Sequence, residues 1–222
     1  MPILIAVFII LIVLIAVFWS RQLAFERAEY IRTFMFPSGL FDKLAALRPE
    51  LEAKDRQLVA RALRQFFMAY LTSGRKFVSM PSQVVDDLWH EFILYTQQYE
   101  RFCQKAFGRF LHHTPAVVLG ANRSNNAGIR RVWWHSCLDE NINPKKATRL
   151  PLLFAIDAKL KIPNGFHYIL DCKGMGKRED STGSAIYCGG DISSTDFDGG
   201  TDGFDDSSTS DSGDTGGCGG GD

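Results

Sequence analysis

Residues 86–113, DDLWHEFILYTQQYERFCQKAFGRFLHH, decide how this chain is read. Leu88, Phe92, Tyr95, Tyr99, Phe102 and Cys103 recur at threes and fours, with Val84 and Val85 just ahead of them. That is the period of one buried helix face. Pro81 suits a first turn, Ser82 a cap and Gly108 a stop. A single amphipathic helix from about residue 81 to about 108 is therefore expected, closing on a histidine pair, His112–His113.

Working outward, the same period governs the flanking segments. In DRQLVARALRQFFMAYLTSG, residues Leu58, Val59, Ala62, Leu63, Phe66, Ala69 and Tyr70 form a stripe, with Asp55 as a cap and Gly74 as an end. FDKLAAL is a short amphipathic segment, IRRVWWHSCLDENI a helix ended by NPKK, and LPLLFAIDAKL a short apolar helix stopped by IPNG. FHYILDC reads as extended or irregular, and no stretch sustains alternation of period two. The fold class is all-α, with about five to six helices in a domain over residues 21–173.

The chain begins differently. PILIAVFIILIVLIAVFW is 18 residues without a charge, about 27 Å as a helix and close to the hydrocarbon thickness of a bilayer. A cleaved signal peptide needs a positive leading region and a small-residue cleavage site, and neither is present around this run. An uncleaved anchor in residues 1–20 is expected, crossing the membrane with residues 3–19. Arg21, Arg27 and Arg32 follow the span, so the positive-inside rule puts the domain in the cytoplasm, at the inner membrane of a bacterium.

It ends differently again. Gly189–Asp222 holds nine Asp, eleven Gly and no Lys, Arg or Glu. The formal net charge of zero is thus an average: 25 Lys and Arg stand against 16 acids in everything before that tail. Residues 174–222 carry too few apolar groups to offset the entropy of ordering and read as disordered. DFDGGTDGFDD fails as a calcium loop, because Thr201 and Ser207 stand where such a loop needs Gly and Glu. Five cysteines, none paired as C-x-x-C, do not make a disulfide framework.

Chemistry, if present, centres on the histidines. On a helical wheel His90 lies opposite the stripe, one turn after Asp86 and on the same side as Arg101, while Trp89 widens the apolar arc. Asp86, Trp89, His90 and Arg101 are the candidate binding residues. His90, Cys103, His112 and His113 are the candidate metal ligands, with His135 and Cys137 outside them. Imidazole and thiolate suit zinc, but one straight helix cannot aim His90 and Cys103 at the same ion, and WHEF supplies only half of H-E-x-x-H. A His90–Asp86 acid/base pair lacks a nucleophile elbow, phosphate loop or dinucleotide fingerprint to complete it. The plainer alternative is structural: His90 bonds a neighbouring helix, and His112 and His113 close a helix end. Convergence of His90 and His113 in a cleft would favour chemistry, and solvent-facing histidines the structural role. The aromatics at helical spacing read as core, so no nucleic-acid partner is expected. No small-molecule substrate is identifiable.

The stretches VVDDLWHEFILYTQQYERFCQKAFGRFLHHTP and LPLLFAIDAKLKIPNGFHY, with a tail ending GCGGGD, resemble bacterial members of the glycine-rich domain protein group, whose larger plant relatives share the Trp-His helix. The likeness covers roughly Pro81 to Tyr168 and implies no activity, cofactor or catalytic residue. Together these features point to a membrane-anchored helical protein that binds or scaffolds a protein partner, with a metal-dependent enzyme or sensor as the alternative.

Overall fold

The computed structural model describes residues 2–113, 127–170 and 186–188. Seven helices occur among them: α1 (Pro2–Thr33), α2 (Leu40–Leu47), α3 (Ala53–Thr72), α4 (Gln83–Leu94), α5 (Thr96–Phe107), α6 (Ala127–Asp139) and α7 (Leu152–Lys159). The domain is all-α apart from two three-residue strands. β1 (His167–Ile169) falls in the segment expected to be extended and pairs in parallel with β2 (Ile186–Cys188). The remainder of the acidic tail, with the calcium-like stretch and Cys218, lies outside the described residues, as does Cys172.

α3 is the central helix, packing against α1, α2, α4, α6 and α7. Most of its expected stripe is buried: Val59, Ala62, Leu63, Phe66, Ala69 and Tyr70 face the core, with Leu58 partly buried against it. The start differs from expectation by a few residues. Glu52 is the cap and Asp55 the third residue of a reciprocal capping box, its carboxylate accepting from the Glu52 N–H at 3.1 Å. Gly74 follows the helix with φ +74°, the left-handed stop a glycine accommodates.

The expected single helix over residues 81–108 is two helices. Tyr95, at φ −80° and ψ 58°, ends α4 and starts α5. In a straight helix residues 89 and 99 stand about 15 Å apart along the axis; here Trp89 Nε1 donates to Tyr99 Oη at 3.1 Å, because α5 folds back on α4. The edge-to-face rings of Phe92 and Phe102, 5.5 Å apart, fill the angle between them. Tyr95 turns toward α2, where a Cβ on Gly39 would come within 2.8 Å of its hydroxyl.

α4 begins as the sequence suggests, with Ser82 Oγ accepting from the Val85 N–H. A second group secures it. The buried Asp157 of α7 accepts from Ser82 Oγ at 2.7 Å, from the N–H groups of Gln83 and Val84 at 2.7 and 3.2 Å, and from that of Phe166 at 2.9 Å. A carboxylate on the free N–H groups of a helix start is favoured by both hydrogen bonding and the helix dipole. α7 is held likewise, its Leu152 and Leu153 N–H groups donating to Glu140 and Gln65.

α1 joins two environments. Ile3 to Val17 are exposed along one uninterrupted helix that is long and apolar enough to cross a membrane. Twelve to fifteen residues past Trp19 the same segment enters the core: Ile31 is fully buried, and Phe34, just beyond the helix, packs against Phe36, Phe92 and Phe102 with ring centroids 4.6–5.6 Å apart. Arg27 lies over Gly108, where a Cβ would meet its guanidinium at 2.6 Å.

Candidate functional site

The α4–α5 fold-back builds a site at the start of α4. Asp86 and His90 are one helical turn apart and so lie on one face. His113 reaches them from the segment after α5. That segment is tied down by the Tyr99 hydroxyl, which donates to the Leu111 carbonyl at 2.6 Å while accepting from Trp89. The Trp89 ring then meets the His113 ring edge-on at 4.6 Å. The Trp-His pair of the motif is therefore a division of labour: Trp89, fully within the core, forms the floor, and His90 sits on top.

The two histidines converge. Their ring centroids are 4.1 Å apart, and both rings face Asp86: His113 Nε2 is 2.9 Å from Oδ1, and His90 Nδ1 is 3.6 Å from Oδ2. Asp86 is buried, His113 is largely covered and the His90 side chain is 52% exposed. One donor atom from each of the three lies within 4.8 Å of the others.

The other candidates sit apart from this group. Cys103 is fully buried beside Tyr99, and burial raises its thiol above the ordinary range, which opposes thiolate chemistry. His112 is exposed and stacks on Phe110 at 4.8 Å. Arg101 is exposed on α5. Cys137 is buried, its thiol pushed up to about 12 by burial and then by Glu140. His135 accepts or donates at 3.0 Å to Thr72, and burial together with nearby Arg131 holds it neutral down to about 4.

A second feature has no counterpart in the histidine motif. An open cleft of about 700 Å³ runs between the end of α1, α3 and the 139–152 region. Arg32, Arg61, Arg64 and Arg149 line it against only Asp139 and Glu140. Arg64 is committed, donating twice to the Phe34 carbonyl. Glu140 is also committed: burial would raise its carboxyl, but the Leu152 N–H, the Gln65 amide and Arg149 outweigh that and hold it low. Arg61 is exposed, and the Arg32 and Arg149 side chains are more than half exposed. The sequence hint was only the excess of basic residues before the tail.

The UCP032817-like family matches residues 26–192, about three quarters of the chain. The chain belongs to the UCP032817-like family. This is an uncharacterised family, and its matched region takes in the final turns of α1, the whole helical domain and both strands. No curated protein and no solved structure matches the chain.

Proposed function

We propose that this UCP032817-like protein is a single-pass anchored binding module at the inner membrane of a bacterium, with its helical domain in the cytoplasm. Residues 1–20 serve as the anchor, residues 21–173 as the domain and residues 174–222 as a glycine- and aspartate-rich tail, in keeping with the glycine-rich domain proteins it resembles; the expectation of disorder does not hold for Ile186–Cys188, which pair with β1. The carrying observation is α1. Its first half offers only exposed apolar side chains, whereas its last turns are core. Exposed apolar surface on this scale needs an apolar solvent. The arginines after Trp19 favour the cytoplasmic orientation.

The partner is an acidic protein segment. Arg61 is exposed at the open cleft, and Arg32 and Arg149, though paired with Asp139 and Glu140, keep more than half of their side chains exposed, an arrangement that suits capture of carboxylates. A fluorescent reporter fused to Asp222 tests the anchor and its orientation. Fluorescence in a membrane fraction that resists alkaline extraction, with the N-terminal segment retained by mass, is the expected result. Activity of an exported phosphatase reporter at the same position, or loss of the apolar segment from the mature chain, would overturn it.

A further inference from the structure

We infer that Asp86, His90 and His113 form a binding site for one divalent first-row transition-metal ion, a site that does not depend on the membrane-anchored binding role above. The distances fit a coordination sphere. With metal–nitrogen and metal–oxygen bonds near 2.0–2.2 Å, neighbouring ligand atoms stand about 3.0 Å apart in an octahedron and about 3.4 Å apart in a tetrahedron. The two imidazole-to-carboxylate separations are 2.9 and 3.6 Å. They run to different oxygens of Asp86, and one donor atom from each of the three residues lies within 4.8 Å of the others, with the half-exposed His90 ring the one that has room to close the remaining gap.

Charge points the same way. Asp86 is a buried carboxylate, and the groups facing its two oxygens are imidazoles. A buried anion is costly without a countercharge. A bound cation supplies it. Two nitrogens and one oxygen select zinc, iron(II), cobalt or nickel over calcium and magnesium, which prefer all-oxygen sites. Three protein ligands leave at least one position open, and the exposed side of His90 is where water or a small exogenous ligand would enter.

The surroundings are those of a held site. Tyr99 fixes the backbone two residues before His113, and Trp89 fixes the His113 ring. Such outer contacts orient metal-ligating histidines and sharpen affinity. Tyr99 and Trp89 are positioning residues here, whereas His112 and Cys103 play no part.

The test uses the full chain in detergent, stripped with chelator and titrated with Co²⁺ followed by visible absorption, then with Zn²⁺ by competition. One equivalent of Co²⁺ is expected, displaced by Zn²⁺. His90→Ala and His113→Ala should each weaken uptake by at least ~10-fold, and His112→Ala should leave it unchanged. His90→Ala removes an exposed ring, so its circular dichroism should match wild type and the comparison survives even where Asp86→Asn misfolds. No saturable uptake would overturn the proposal. So would uptake that His90→Ala and His113→Ala leave intact, which would put the ion on the aspartate-rich tail.

Discussion

Two buried aspartates bracket the start of α4, and their partners differ in kind. Asp157 is saturated by one hydroxyl and three backbone N–H groups, all within 3.2 Å. Asp86, a turn further on, faces two imidazoles at 2.9 and 3.6 Å. The donors on Asp157 are fixed by the fold and cannot be exchanged for a ligand, so it is a fastening between α7 and α4. The partners of Asp86 can rotate and coordinate. A buried carboxylate thus marks a functional site only when its neighbours are themselves free to do chemistry.

The comparison can be broken most severely at the floor of the histidine site. Trp89→Ala should cost about 3–5 kcal/mol in urea unfolding of the detergent-solubilised chain, as large core truncations do. It removes both the packing on Phe66 and Phe67 and the donor to Tyr99. A loss below ~1 kcal/mol would mean that Trp89 is not core. Asp157→Ala comes next, at roughly 3 kcal/mol, since the helix-start N–H groups it serves stay buried and unpaired. Asp86→Asn should cost less than half as much on the same measurement, because an amide can still bond a neutral imidazole.

A partly buried histidine sharpens the contrast through pH. His135 is held near 4 in the folded chain against about 6.5 when unfolded. A histidine with a depressed folded pKa contributes stability fully above the unfolded value. That contribution falls as pH drops from about 6.5 to about 4 and changes no further below. With solvent screening allowed for, the loss should be about 1–2 kcal/mol. Chemical unfolding at pH 7 and pH 4.5 should show it in wild type and not in His135→Gln, and an equal loss in both would remove His135 from the account. The smallest stability effect is expected in the cleft. Arg61→Glu should shift unfolding by less than ~1 kcal/mol yet weaken binding of a labelled peptide of residues 191–206, used as a defined acidic probe, by at least ~10-fold. Unchanged binding would move the acidic partner elsewhere.

Much of this was legible before any coordinates. The apolar run, the α3 stripe and the Ser82 cap are local signals, and each gave the right element. Asp86 and His90 were placed on one face by spacing alone. The break at Tyr95 was not legible, because LYTQ contains neither glycine nor proline and the apolar period runs on through it. What bends the chain there is tertiary: Phe92 against Phe102, and Trp89 bonded to Tyr99. That single break turns the wheel argument about Cys103 aside and lets His113 come back to Asp86. The role of Asp157 was hidden for a related reason, since its Ser82 partner is 75 residues away in sequence. Tyr99 left one clue, a hydroxyl in an apolar stripe, which when buried needs a partner.

The most direct test is the change in melting temperature on adding zinc to wild type, Asp86→Asn and Asp157→Asn side by side. At a hundredfold excess over the dissociation constant, a site confined to the folded chain should raise the wild-type midpoint by roughly 5–10 °C. The account predicts that Asp157→Asn melts lower but keeps that rise, and that Asp86→Asn melts close to wild type and loses it. A zinc-induced rise that survives in Asp86→Asn, or none in wild type, would contradict the distinction between the two carboxylates.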